Sequence, residues 1–342
     1  MKRSWKAVQI TSLLFLIQCW LVSAAGGEVA RSPLSKLPEN IRQLTYFGER
    51  AVWSPDGKRI AFVHRTLGDA FEIDLGSETI RCLTCGFSNA GFFRVHYLKT
   101  GDLILIGPDE VEDREAARWD ESEIWLLPES AAAPIRLNQR LSEGIAVSTH
   151  SLLVAWVVSS RQYPQSIEEG VTEIWVAELD MDGPEPSLKN KRKVHEDLWP
   201  SCWLEAQDFR NQDRELIFSC YQPDNNAEVM GVDLETGKVV NYTSSPDVYD
   251  EPEGIFPSGA DILVECDLQN NKGDHFIDIW KLRLDGTGKH YERLTSFSEY
   301  AGFKASNPVV SPDGKMMAFQ IARSEDPPGV GYGILLYRFS GD

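Results

Sequence analysis

The feature that most constrains this chain is a strand, tight turn, strand unit that returns about every fifty residues. It is clearest in Ala51-Val52-Trp53-Ser54-Pro55-Asp56-Gly57-Lys58-Arg59-Ile60-Ala61-Phe62 and in Pro308-Val309-Val310-Ser311-Pro312-Asp313-Gly314-Lys315-Met316-Met317-Ala318-Phe319. Pro sets φ for the first central position of the turn, Asp bonds its own backbone, and Gly takes the positive φ. Degenerate copies lie at Phe256 to Val264, Leu98 to Leu105 and Phe209 to Phe218, while the segment Val147 to Val158 has lost the Pro-Asp-Gly turn. A third strand follows each unit, around Ile73, Ile124, Ile174, Val229, Ile279 and Ile334, in steps of 51, 50, 55, 50 and 55 residues. A sheet of four short strands cannot bury both faces alone, so a period of this size means blades stacked around an axis.

Six third strands imply six blades. Five repeats close with a fourth strand such as Arg81-Cys82-Leu83-Thr84 or Tyr291-Glu292-Arg293-Leu294-Thr295, but the last repeat runs out at Phe339-Ser340-Gly341-Asp342. Ile41-Arg42-Gln43-Leu44-Thr45-Tyr46 has the missing pattern. The expected fold is therefore all-β, a six-bladed β-propeller closed by an N-terminal strand that completes the last blade and leaves no raw edge.

Ser-Pro-Asp-Gly-Lys at 54–58 and 311–315, each followed by an apolar strand and in other repeats by a later Arg-Leu-Thr strand, resembles the repeat of TolB-like (WD40-like) β-propellers. The resemblance covers Ile41 to Asp342. It implies the propeller fold and leaves activity open, since such rings include binding scaffolds as well as enzymes. TolB itself carries an extra N-terminal α/β domain, whereas only residues 25–40 stand here between the ring and the leader described next, so the resemblance is to the repeat.

Lys2, Arg3 and Lys6 precede an apolar run from Ile10 to Val22 and then Val22-Ser23-Ala24, which reads as a secretory signal peptide over 1–24 cleaved after Ala24. The run is shorter than the ~20 apolar residues of a membrane span, so no stable span is expected and the mature chain is placed in the periplasm or outside the cell. Loss of three basic residues and no acidic one takes the net charge from −18 to −21. Such a surface repels nucleic acid and anionic membranes.

In an oxidising compartment Cys202 and Cys220, on consecutive strands of one blade, are an expected disulfide, and Cys82 with Cys85 a second; Cys266 is left over. Asn241-Tyr242-Thr243 is a glycosylation sequon if the host is eukaryotic. There is no Gly-x-Ser-x-Gly elbow. His195-Glu196-Asp197-Leu198-Trp199 lacks the second His of a zinc helix, and Asp180-Met181-Asp182-Gly183 reads as a turn between strands. No metal site and no cofactor are expected. Trp125, Trp175 and Trp280 recur at one blade position and are assigned to packing between sheets.

The informative positions escape the repeat. Residues at the start of each innermost strand face the mouth of the central channel, where ligands of such rings sit. They are Glu49 and Arg50 in blade one, Arg94 and His96 in blade two, Glu143 in blade three, Trp199 in blade four, Glu251 and Glu253 in blade five, and Ser306 and Asn307 in blade six. Dissimilar convergent groups fit recognition of a peptide, a glycan or a polar small molecule by a monomeric, noncatalytic scaffold. Paired carboxylates in Tyr249-Asp250-Glu251-Pro252-Glu253-Gly254 also fit acid and base work, so the alternative is a secreted lyase, lactonase or cyclase. The long segments Pro108 to Asp120 and Gln162 to Gly170 are expected at a rim where partners bind.

Overall fold

A computed structural model describes residues 32–340 apart from 131, 132 and 184. The expected signal segment and residues 25–31 lie outside the described part. Within it, six four-stranded antiparallel sheets follow one another in chain order, each strand pairing with the next. The innermost strands are Glu49–Trp53, Arg94–Tyr97, Ile145–Val147, Trp203–Arg210, Asp250–Ile255 and Phe303–Val310. The sixth sheet is completed by Ile41–Gln43, which pairs with Ile334–Arg338 in the register Ile41 to Tyr337 and Gln43 to Leu335. The fold is a six-bladed β-propeller with its two ends sharing one sheet.

The repeated turn works by one hydrogen-bond pattern. Asp56 Oδ1 accepts from the Ser54 hydroxyl at 2.6 Å and from Lys58 N at 3.1 Å, and Arg59 N donates to Ser54 Oγ at 2.9 Å. Asp313, Lys315, Met316 and Ser311 repeat it at 2.7, 3.1 and 2.9 Å. A second device explains the recurring threonine. Thr45, Thr84, Thr243 and Thr295 each accept, through Oγ1, a backbone N–H of the adjoining third strand: Ile334, Ala70, Val229 and Ile279, at 2.9 to 3.1 Å. The hydroxyl satisfies an amide just where the short outer strand gives out.

The cores lie between blades. Phe93, Ile104 and Ile124 of the second sheet pack with Val154 and Trp156 of the third. Trp53, Phe62 and Ile73 of the first meet Ala318, Ile334 and Leu336 of the sixth across the closure. Trp125, Trp175 and Trp280 pack, half-buried, into three of these seams. Each blade thus buries its faces only through its neighbours.

Candidate functional site

Four of the six innermost strands carry a register shift: between Glu49 and Val52, Ala206 and Asp208, Pro252 and Ile255, and Ser306 and Val309. A bulge bends the strand and re-aims a side chain. Arg50 and Asn307 stand in these irregularities with φ of 53° and 47°, in the left-handed region that arginine rarely enters and asparagine tolerates. Both side chains serve the channel mouth. Gly254, in the third shift, lies so close to the sixth blade that a Cβ there would come within 3.0 Å of Pro308 O and the Val309 backbone.

The mouth is a funnel of about 660 Å³. On one side, Glu143 is held by three guanidinium groups. Arg50 bonds Oε1, Arg118 Nε bonds Oε2 at 2.8 Å, and Arg94 lies 3.7 Å away. Arg94 also bonds Glu205 Oε1 at 2.7 Å. Arg50 is braced further by the Phe93 carbonyl at 3.0 Å, and its own amide donates to Gln320 Oε1 at 2.7 Å. Burial works against ionisation of Glu143, but Arg50, Arg118 and Arg94 outweigh it and hold the carboxyl down at about 2. Burial likewise opposes charge on Arg94, which Glu205 and Glu143 nonetheless keep cationic.

The other side is acidic. The Tyr221 hydroxyl donates to Glu205 Oε2 at 2.9 Å and approaches Glu251 Oε1, while the Tyr249 hydroxyl donates to Glu251 Oε2. Glu265 stands opposite Glu251 in the ladder, and Glu251, Glu253 and Glu265 offer carboxylate oxygens that all lie within 4.8 Å of one another. Asn307 ties the trio together, its amide N donating to Glu265 at 2.6 Å and its Nδ2 to Glu253 at 2.9 Å. Burial, then the neighbouring Glu265, raises Glu251 to about 7. Burial, then Glu265 and Glu251, pushes Glu253 well above the carboxylate range. Burial raises Glu205 to about 7 as well, with Arg94 opposing. Lys304 moderates the rise at Glu265. Like charges this close and this dry do not all ionise together, so the trio retains protons unless a cation takes their place.

The residues expected from sequence divide by depth. Arg50, Arg94, Glu143, Glu251 and Asn307 converge at the funnel, with Ser306 beside them. Glu49 lines it too, but its carboxylate accepts from the Thr66 hydroxyl at 2.9 Å. Trp199 stands on the rim, 44% exposed. His96 and Glu253 lie two residues along their strands from Arg94 and Glu251, one layer deeper. Burial, then Arg94 and Arg50, depresses His96 to about 3, so its imidazole is neutral. The structure pairs Cys82 with Cys85 and Cys202 with Cys220, leaving Cys266 free and buried. Asn241 is partly buried, and its side-chain oxygen accepts from the amides of Thr243 and Ser244 at 3.0 and 2.9 Å.

Five groups of the site escaped the sequence reading. Glu205 is the third residue of an innermost strand, where alternation alone marks it as inward. Glu265 is recoverable from the hairpin about Pro257-Ser258-Gly259, because that turn puts it opposite Glu251. Tyr221 is a second-strand residue with no distinguishing signal, and Lys304 enters from the sixth blade. Arg118 comes from the short helix Arg114–Trp119, inside the long segment assigned to the rim; Asp113 caps that helix, accepting from Glu115 N and Ala116 N.

Gly144 supplies a condition for the whole arrangement. Its φ is 98°, and a Cβ there would sit 2.2 Å from Glu205 Cγ. The bare backbone is what lets Glu205 cross beside Glu143 to reach Arg94.

Beyond the funnel, no helix among the described residues is long and apolar enough to cross a membrane. No protein-family model matches the sequence, and no curated protein matches it. Similarity is found among solved structures. TolB from Acinetobacter baumannii superposes with a TM-score of 0.52 at 13% identity, covering 84% of this chain and 62% of its own. A puromycin hydrolase gives 0.51 at 15% identity over 87% of this chain, and the tricorn protease 0.50 at 12% over 84%. The chain spans less than two thirds of each: 62% of the TolB chain, 47% of the hydrolase and 27% of the protease. What the three share with this chain is the ring of blades, and its architecture is that of a TolB-like six-bladed propeller.

Proposed function

We propose that the chain is an exported, noncatalytic binding propeller whose funnel takes a small polar ligand bearing a cationic group, either an amine-containing small molecule or the basic terminus of a peptide. The observation that carries this reading is the trio Glu251, Glu253 and Glu265, of which Glu251 and Glu265 line a mouth walled by Trp199, Trp203, Tyr221, Tyr249 and Tyr332 while Glu253 lies beneath them. The arginines are paired with Glu143 and Glu205; Arg94 still favours ionisation of Glu251 and Glu253, and Lys304 that of Glu265, but burial outweighs both. An ammonium group entering there exchanges for protons and relieves the repulsion among carboxylates, while aromatic faces favour its hydrocarbon part and its charge. Export is supported by the two disulfides and by the basic, then apolar, leader in the sequence. A monomer is the state proposed, and Asn241 carries a glycan only where the host glycosylates.

The test is a thermal-shift and calorimetric screen of mature protein at pH 8 against primary, secondary and quaternary amines and basic dipeptides. A raised Tm that vanishes in the Glu251→Gln/Glu253→Gln variant is expected. Silence across the amines, or a shift that survives in the double variant, rejects the reading.

A second reading, a secreted enzyme of lyase, lactonase or cyclase type, is favoured by one observation. Glu205 and Glu251, both raised to about 7, are bridged by the Tyr221 hydroxyl, a chain able to pass a proton near neutral pH. Turnover of any such substrate that disappears in Tyr221→Phe with binding intact would move the assignment to this class.

A further inference from the structure

Cys82 and Cys85 close the outer strand Ile80–Cys82 of the first blade, far in sequence from the funnel residues of the fifth. Their disulfide spans three residues, and Cys85 is exposed. Two neighbours give the pair a chemistry beyond cross-linking. The amide of Cys85 donates to Cys82 Sγ at 3.0 Å. The carboxylate of Asp69 comes within 4.8 Å of both sulfurs, forming one of two groups among the described residues with metal-ligand proximity. Asp69 is itself fixed: its Oδ1 accepts from the Thr84 hydroxyl at 2.7 Å and from Asn89 Nδ2 at 3.3 Å. Thr84 in turn accepts from Ala70 N, so the carboxylate is tied to the blade's own repeat hydrogen bond.

We propose that this corner is a redox-gated site for a thiophilic divalent cation such as Zn²⁺ or Cd²⁺, closed as the disulfide and opened by an external dithiol. A thiolate of the dithiol attacks the exposed Cys85 Sγ, breaking the bond between the two cysteines and releasing Cys82 as a thiolate that the Cys85 amide receives. The second sulfur of the reductant then displaces Cys85 from the mixed disulfide. Two electrons pass to the cysteine pair and the dithiol leaves as its own disulfide. The opened pair presents two sulfurs and one carboxylate, the donor set that zinc and cadmium favour, with the remaining coordination position toward solvent. Metal binding requires both sulfurs as thiolates and so displaces the protons of whichever are thiols. Thr84 and Asn89 orient Asp69 as outer-sphere partners orient ligands elsewhere. In the oxidised chain the sulfurs are spent on each other and the site does not exist.

The experiment is a Cd²⁺ titration of mature protein, oxidised or freshly reduced and desalted, followed through the thiolate-to-cadmium charge-transfer band in the ultraviolet. One equivalent per chain is expected in the reduced protein and none in the oxidised. Cys85→Ser, at an exposed position and with Cys202, Cys220 and Cys266 untouched, loses the two-thiolate band. Asp69→Asn, whose amide oxygen still accepts the Thr84 hydroxyl, binds at least about tenfold more weakly. No band in reduced protein, a full band in Cys85→Ser, or unchanged affinity in Asp69→Asn overturns the proposal. Alkylation and mass mapping of the partly reduced chain provide a separate check: Cys82 and Cys85 are labelled before the buried Cys202 and Cys220, and the reverse order also overturns it.

Discussion

Replacing Glu251 by Gln should change the stability of the unliganded ring in opposite directions at two pH values. In the folded chain Glu251 is raised from its ordinary 4.5 to about 7. A raised acid binds protons in the native state that the unfolded chain has already released, so its contribution is complete below about pH 4 and is lost as pH climbs from there through 7. At 1.36 kcal/mol for each tenfold change, the full interval corresponds to about 3.4 kcal/mol. Sharing of protons with Glu205, Glu253 and Glu265, together with water in the funnel, reduces the usable part to about 2 kcal/mol. At pH 8 Glu251→Gln removes that burden and should stabilise by about 1 to 2 kcal/mol. At pH 5 the folded carboxyl is neutral and only about a quarter of that burden remains, so the substitution gains at most about 0.5 kcal/mol there. The amide oxygen must then serve both the Tyr221 and Tyr249 hydroxyls, and one poorly met hydroxyl costs about 1 kcal/mol. Urea denaturation of metal-free, ligand-free protein at both pH values, with m compared between variants, reads the difference. An equal ΔΔG at pH 5 and pH 8 refutes the claim that this carboxylate is held neutral by its surroundings.

Gly144→Ala places a Cβ 2.2 Å from Glu205 Cγ at a φ of 98°, so denaturation should show a loss of about 2 to 4 kcal/mol together with weakened funnel binding. Arg50→Ala leaves a buried guanidinium site empty beside Glu143 and should cost about 3 kcal/mol; Arg118→Ala, from the half-exposed helix, should cost clearly less by the same measurement. Thr45→Val strips the hydroxyl from Ile334 N and should cost about 1 to 3 kcal/mol, as Thr295→Val should at Ile279. Only the former should speed amide exchange in Ile41–Gln43. For the whole unliganded protein, stability should fall from about pH 4.5 to 7.5 and level off above, because Glu205, Glu251 and the partly buried Asp208, itself raised to about 7 by burial, keep protons there that the unfolded chain has already released. Between about pH 3 and 6.5 the depressed His96 works the other way, its contribution lost as acid forces a charge on it, so it offsets part of that fall.

The ring was legible because its signals are local and repeated. Ser54 and Ser311 make the same turn bonds, and the outer-strand threonine meets the same amide in four blades. The closure strand followed from counting which repeat lacked its fourth member. The funnel was only half legible. Arg50, Arg94, Glu143, Glu251 and Asn307 could be named by aligning strand starts, but the alignment does not reveal the bulge at positive φ that aims Arg50, a conformation arginine does not announce. Glu265 and Tyr221 arrive by register from second strands, and Arg118 from a helix within a loop, so no spacing along the chain marks them as companions. The sequon at Asn241 illustrates the opposite hazard: its threonine is also the repeat residue that satisfies Val229 N, and the triplet has a structural reason to exist without a glycan.

Because Ile41–Gln43 pairs with Ile334–Arg338, the first strand of the ring has to wait for its last. Five blades can zip up in order as they emerge, each against the one before, yet the clasp between strands almost three hundred residues apart stays undone until the sixth blade has been made. During that interval the uncovered margins of the first and sixth sheets are free to pair with other strands.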